Sequence, residues 1–245
     1  MKKIILSLIE KMGYEVVKAG TYRFANIDIE NDKDFGRLMN QCRPFTMTSV
    51  QRLYALNQAV NYISKNKISG DIVECGVWRG GSSMMSALTL LEGKDTSRNL
   101  YLYDTFEGMS EPTNDDVSMT GALAEKTWQS IDKCDADLND VQTNMKQTNY
   151  PFSKIHFVQG KVEQTIPETI PSSIALLRLD TDWYESTYHE LVHLFPKLVT
   201  GGVLIIDDYG HWQGARKAVD QYFAEQKTPI LLNRIDYTGR IAIKS

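Results

Sequence analysis

Long apolar runs are missing from this chain of 245 residues. No stretch approaches the roughly 18–20 residues that a membrane-spanning helix requires, so no membrane association is expected. Met1-Lys2-Lys3 followed by Ile4–Ile9 starts like a secretory signal. Glu10 and Lys11 interrupt it and no small-residue cleavage site follows, so export is not expected. Cysteine is scarce: Cys42, Cys75 and Cys134 are odd in number and far apart. That excludes a disulfide framework and a CxxC metal pair, and it fits a reducing cytoplasm. Positive charge is not in excess, with 27 Lys and Arg against 31 Asp and Glu. A net charge of -4 argues against nucleic acid as the main partner, since phosphate binding needs clustered cations. Repeats, low-complexity tracts and Pro- or Gly-rich linkers are absent too.

What is there is ordinary for a globular protein: 42% hydrophobic and 24% charged residues. The length suits one large domain with an extension, and such a chain buries roughly 70–75% of its unfolded surface without cross-links. Residues 1–45 read as an N-terminal extension, and a regular rhythm begins near Thr48. Thr48 or Ser49 is placed to cap a helix whose Val50, Leu53, Leu56, Val60 and Ile63 recur at helical spacing. Strands are expected at 71–75, 99–103, 155–158, 174–179, 203–206, 230–234 and 240–244. Helices are expected from Ser82 to about Leu91, near 136–148, over 184–198 and over 212–226. The polar segment 105–135 is long for a connection and reads as a lid or binding segment. Strands alternating with helices predict an α/β fold, a mostly parallel sheet covered on both faces. The turn Asp236–Gly239 makes the last strand antiparallel.

In open sheets of this kind ligands bind beyond the carboxyl ends of the strands. Glu74-Cys-Gly-Val-Trp-Arg-Gly-Gly-Ser82 stands where a strand becomes a helix, and a helix N-terminus there favours an anion. The pattern is GxxxGG, not the GxGxxG of dinucleotide sites. With Glu74 two positions before Gly76, it suits S-adenosyl-L-methionine, the carboxylate accepting from the ligand ammonium. Asp104, closing the next strand, is placed for ribose hydroxyls, and Gly160 for close approach to adenine. Gly76, Gly80 and Ser82 belong to the same turn. Arg79 either meets the methionine carboxylate or faces solvent.

Asp180, Asp182, Asp207 and Asp208 end the two following strands. Gathered carboxylates need protons or a cation, and hard oxygen donors without Cys or clustered His favour Mg²⁺ over zinc. Such an ion lowers a hydroxyl pKa, and a neighbouring carboxylate removes the proton. The plainer reading is that some of these aspartates only cap helices. Trp183, Tyr184 and Trp212 lie near this rim as apolar walls or as core, and His211 as a substrate contact. A competing motif, His189-Glu-Leu-Val-His193, matches the HExxH of zinc hydrolases. Its helix carries a packing stripe and no third histidine follows at ligand spacing. A nicotinamide oxidoreductase would share the sheet and the glycine turn, and a non-catalytic binding protein would hold a cofactor without turnover.

Several stretches together carry a resemblance: Met47–Tyr54, Glu74–Ser82, Tyr103–Gly108, Leu179–Thr187, Gly201–Tyr209 and Ala218–Tyr222. Over residues 45–245 the chain resembles the macrocin O-methyltransferase (TylF-type) family, which includes the mycinamicin and novobiocin sugar methyltransferases. The resemblance implies a class I methyltransferase fold, seven strands with the last antiparallel. It implies S-adenosyl-L-methionine as donor, Mg²⁺ as cofactor and a sugar hydroxyl on a natural product, or on a nucleotide or glycan precursor, as acceptor. It also implies Asp180, Asp207 and Asp208 as metal ligands and Asp182 as general base, with Asp180 and Asp182 interchangeable. Met47 and Thr48 would lie at the substrate and cofactor entrance, and 105–135 would be the lid. Members are often homo-oligomers.

Overall fold

The computed structural model of the chain describes residues 26–113, 115–128 and 133–245. The first 25 residues of the expected extension therefore lie outside the described residues. Seven strands form one sheet: β1 Asp71–Cys75, β2 Leu100–Asp104, β3 Ile155–Gln159, β4 Ile174–Leu179, β5 Leu198–Ile206, β6 Asn233–Arg234 and β7 Arg240–Ile243. Their order across the sheet is β3-β2-β1-β4-β5-β7-β6. The neighbours from β3 to β5 run parallel, while β7 runs antiparallel to both β5 and β6. This is the architecture the alternating pattern predicts.

Side-chain alternation assigns the two faces. Ile72, Leu102, Leu176 and Ile205 join one buried cluster, with the helices Val50–Lys65 and Gly81–Glu92 packed on it. Their neighbours Val73, Tyr103, Leu177 and Ile206 join the opposite cluster, under the helices Tyr184–Leu194 and Gln213–Glu225. Successive strand residues point to opposite faces, so near-continuous apolar strands fill both layers. Each fully buried Leu or Ile stabilises the fold by about 1.5–3 kcal/mol. The helix Lys33–Cys42 adds Phe35, Leu38 and Cys42 to the first cluster, so residues 33–42 of the expected extension share the main core.

Local details differ from expectation in instructive ways. Ser49, not Thr48, caps the first long helix by accepting from Arg52 N at 3.2 Å. The helix after β1 begins with left-handed Gly80 as its cap, and Ser82 lies within its first turn. β5 starts at Leu198, and its pairing with β4 shifts register between Leu198 and Val203, the stretch where Gly201 takes a positive φ of 81°. The expected strand 230–234 shortens to Asn233–Arg234 at the sheet edge. Among the described residues, no helix is long and apolar enough to cross a membrane.

Candidate active site

The strand order reverses direction between β1 and β4, the switch point where open sheets bind ligands. A cavity of about 330 Å³ lies there, within the size range of small-molecule sites. It is lined by nine of the expected site residues: Met47, Gly76, Ser82, Asp104, Gly160, Asp180, Asp182, Asp207 and His211. Glu74, Arg79, Gly80, Tyr184 and Asp208 do not line it.

The glycine turn is built by backbone hydrogen bonds to one carboxylate. Asp104 Oδ2 accepts from Val77 N at 2.7 Å and Trp78 N at 3.0 Å, and Oδ1 accepts from Phe106 N at 2.9 Å. Thr105 Oγ1 also donates to Oδ1, at 3.4 Å, so most of the carboxylate's roughly four acceptor sites are taken by the turn it organises at the cavity wall. Gly76 has φ 82°, and a Cβ there would collide with the Asp180 carbonyl. Only glycine lets β1 and β4 end side by side at this point. Gly160 lines the opposite end of the cavity, with φ 135°.

Glu74 corrects the sequence reading. The β1–β4 register pairs it with Arg178, and the two side chains form an ion pair. Ser82 Oγ and Ser83 Oγ both donate to its carboxylate as well. Glu74 is therefore buried behind the turn, where it braces the helix start and does not face a ligand. Arg79, read as meeting the methionine carboxylate or facing solvent, does not line the cavity and is partly exposed. Its guanidinium donates to both oxygens of Asp140, at 2.8 and 3.1 Å, and to Pro44 O at 3.3 Å. Gly80 faces Val141 and Met145.

Arg178 is the residue that sequence reasoning missed. Only 2% exposed, it occupies a strand in which all six positions are buried. Besides Glu74, its Nη2 stands 2.7 Å from Asp180 Oδ2 and 3.0 Å from Asp207 Oδ1 and donates to Thr48 Oγ1 at 3.1 Å. Arg52 pairs with the other oxygen of Asp207 and with Asp236 Oδ2 at 3.1 Å. The available signal is a lone arginine in an apolar strand, which rarely survives burial without partners.

The four aspartates of the rim do come together. Asp208 Oδ2 accepts from Asp182 N at 3.2 Å, and Asp182 Oδ1 accepts from Trp212 Nε1 at 2.8 Å. Burial pushes Asp182 up to about 7; Asp180 adds to this, while the bonds from Trp212 and Asp208 oppose it. Burial pushes Asp207 up to about 6, with Arg178 pulling against it and Asp180 adding to it. Asp208 is driven well above the carboxylate range by burial and then by Asp182. Charge of one sign is crowded here beyond what the arginines neutralise.

That crowding tests the expected divalent cation. Every donor is a hard carboxylate oxygen. Asp207 Oδ1 is buried without a hydrogen-bond partner, its contact with Arg178 lying off the line of a hydrogen bond. Among the described residues no three His, Cys, Asp or Glu side chains already stand as a metal-binding group; Arg178 and Arg52 supply the positive charge at Asp180 and Asp207. The donor chemistry and the orphaned oxygen fit a small hard cation.

Aromatic rings close the far side. Trp183 and Trp212 line the cavity, with centroids 5.1 Å apart in edge contact, and Trp128 meets Trp183 at 6.5 Å. They are wall and core at once. The described part of 105–135 is tied over them: Trp183 Nε1 donates to Ser110 O at 2.9 Å, and Met119 N to His211 O at 2.9 Å. Asp116, fully buried, accepts from Tyr184 N at 3.0 Å and Thr113 N at 2.7 Å. Tyr184 itself points away from the cavity, its hydroxyl donating to Gln221 Oε1 at 2.8 Å. Met47 stays 55% exposed at the mouth.

Among the described residues the HExxH motif does not stand in a group of three metal-ligating side chains, although the rings of His189 and His193 are 4.4 Å apart. His189 Nε2 lies 2.8 Å from the Ile166 carbonyl, a contact that uses its ring N–H. Glu190 is fully buried on the sheet side of the helix, and its Oε2 accepts from Thr181 Oγ1 at 3.2 Å. The acid and the histidines thus serve different faces.

The family model of macrocin-O-methyltransferase (TylF) matches residues 2–243. The 8-demethyl-8-(2,3-dimethoxy-alpha-L-rhamnosyl)-tetracenomycin-C 4'-O-methyltransferase of Streptomyces olivaceus is 32% identical over 242 residues, 98% of this chain and 88% of that protein. The demethyldecarbamoylnovobiocin O-methyltransferase of Streptomyces niveus is 30% identical over 194 residues, 79% of this chain and 73% of that one. The solved structure of the O-methyltransferase NovP superposes with a TM-score of 0.72 at 30% identity, covering 82% of each chain. The calicheamicin methyltransferase CalS11 superposes at 0.64 with 18% identity, covering 87% of this chain and 92% of that one, a likeness of fold alone.

Proposed function

The chain belongs to the macrocin O-methyltransferase (TylF) family, and from that premise we propose that this O-methyltransferase uses S-adenosyl-L-methionine and Mg²⁺ to methylate a sugar hydroxyl. The acceptor we propose is a glycosylated natural product, as the names of the tetracenomycin and novobiocin relatives suggest. One observation carries the reading: the glycine turn with Asp104 and the aspartate rim open on the same cavity. A donor held at the first and an acceptor held at the second would be neighbours, and orientation of that kind contributes much of such catalysis.

Each residue then has a task. Gly76 and Gly160 let a cofactor approach the backbone, Ser82 lies in the first helical turn beside it, and Asp104 at the cavity wall is placed for ribose hydroxyls. Asp180, Asp207 and Asp208 would hold the cation. When bound, the sulfonium supplies an electrophilic methyl group and the cation supplies positive charge beside the acceptor oxygen. Asp182 takes the hydroxyl proton. Its pKa near 7 suits a group that must accept a proton at neutral pH, and the Trp212 indole fixes its direction. Trp183 and Trp212 exclude water and give the acceptor an apolar wall, with Met47 and His211 nearer the entrance.

The test is a methylation screen. Glycosylated natural products and nucleotide sugars are incubated with methyl-labelled S-adenosylmethionine and Mg²⁺, and products are read by mass spectrometry. Label on the sugar of a glycoside supports the proposal. Label on nucleotide sugars alone would move the acceptor to an earlier precursor, and no transfer to any sugar would reject it.

A further inference from the structure

The HExxH match leaves Glu190 unexplained. This carboxyl sits on the Tyr184–Leu194 helix with 0% exposure. Thr181, Cys75, Glu163 and Asp180 act on it, and among the described residues none of the ion pairs involves it. A salt bridge therefore does not account for it, and an apolar residue of similar size would fill the space without the cost of burying a polar group. Burial pushes its pKa well above the carboxylate range, with Glu163 adding to this against the Thr181 hydrogen bond.

The hydrogen bonds show what the group does. Oε2 accepts from Thr181 Oγ1 at 3.2 Å, Cys75 is a further polar neighbour, and Oε1 has no hydrogen-bond partner. Thr181 is the middle residue of Asp180-Thr181-Asp182, at the end of β4. The next residue, Asp182, has a left-handed backbone with φ 64°. A non-glycine residue keeps that conformation only where surrounding contacts hold it. The main chain supplies some of them: Asp180 N donates to Cys75 O at 2.9 Å and Trp183 N to Thr181 O at 2.7 Å. Asp182 N adds its bond to Asp208 Oδ2. Glu190 is the side chain that grips the middle of the loop from the helix behind it.

We infer that Glu190 is a positioning residue, whose bond to Thr181 holds the Asp180–Asp182 loop in the shape that carries the Asp182 carboxylate to Trp212. Its importance for turnover rests on reading Asp182 as the proton acceptor; its effect on the placement of Asp182 does not. The two can therefore fail separately.

The Trp212 indole N–H reports that placement directly, because it donates to Asp182 Oδ1. The test uses the ¹⁵N-labelled full chain without cofactor, metal or acceptor. Only four indole signals are expected, and Trp212→Phe identifies the relevant one. Glu190→Leu and Thr181→Val should each shift the Trp212 indole signal and speed its exchange with water tenfold or more. The Trp78 and Trp128 signals should stay in place. Glu190→Gln, which keeps an acceptor for Thr181, should give the native signal. The double variant Glu190→Leu/Thr181→Val should exchange no more than twofold faster than either single one, since both remove the same contact. An unmoved Trp212 signal in Glu190→Leu, a Gln variant that behaves like Leu, or losses that multiply in the double variant would overturn the inference. If Glu190→Leu does not fold, Thr181→Val and Glu190→Gln decide by the same criteria.

Discussion

The indole of Trp212 donates its N–H to Asp182 Oδ1 at 2.8 Å, joining an aromatic wall of the cavity to the acidic rim. Trp212 caps the Gln213–Glu225 helix, while Asp182 follows β4. One hydrogen bond thus ties two elements that enclose the site. Replacing Trp212 by Phe keeps an aromatic ring against Trp183 and removes the donor together with part of the indole's volume. Hydrogen bonds to charged groups contribute about 1.5–3 kcal/mol. Methyl transfer to a deoxysugar acceptor should fall about tenfold or more, with S-adenosylhomocysteine affinity by calorimetry within about twofold of the parent, since the bond lies on the acceptor side.

Arg178 is the second pressure point. It faces Glu74, Asp180 and Asp207 at once, and its removal leaves Glu74 and Asp180 without their ion-pair partner and Asp207 with Arg52 alone. Breaking a buried pair in this way costs about 3–5 kcal/mol. Arg178→Met should lower the unfolding free energy by about that much in a urea titration. Arg178→Lys should recover only part, because one ammonium cannot reproduce the forked contacts.

The raised carboxylates set a pH dependence. Asp182 titrates near 7 and Asp207 near 6 in the folded chain, against about 4 for an unfolded Asp. Between those values the folded state binds more protons than the unfolded one, so stability from this pair falls as pH rises. It is fully present below about pH 4 and lost above about pH 7. In chelator, unfolding free energy measured from about pH 4.5 to 7.5 should drop more steeply for the parent than for Asp182→Asn, which cannot titrate. Equal slopes would show that Asp182 is not shifted.

Much of this architecture is legible in the sequence, because β1 to β5 are apolar runs that alternate with amphipathic helices. The convergence of Gly76, Asp104, Asp180, Asp182 and Asp207 on one cavity also follows from their places at strand ends. What periodicity does not encode is register. Glu74 reads as a ligand group because it precedes the glycine turn, yet the β1–β4 pairing puts it beside Arg178. Tyr184 is close to the rim in sequence, but the first turn of its helix directs the ring toward Gln221. The fit of the described part of 105–135 over Trp183 depends on Asp116 and on a long-range backbone bond to His211, which no local pattern announces.

The HExxH helix gives a further check. His189 contributes a bond to the Ile166 carbonyl, so His189→Ala should cost about 1 kcal/mol of stability. Metal analysis of the purified parent should find no stoichiometric zinc, and methyl transfer should continue in the variant. Zinc at one per chain, lost with His189, would contradict this assignment.

In the proposed reaction the aspartate rim works with a bound cation beside the methyl donor. The most direct measurement is the rate of methyl transfer from S-adenosylmethionine to a deoxysugar acceptor in excess chelator, followed by titration with Mg²⁺. Transfer should stop in chelator and return with Mg²⁺ in the parent, while Asp182→Asn should stay inactive at every Mg²⁺ concentration. Undiminished transfer in chelator, or normal transfer by Asp182→Asn, would contradict it.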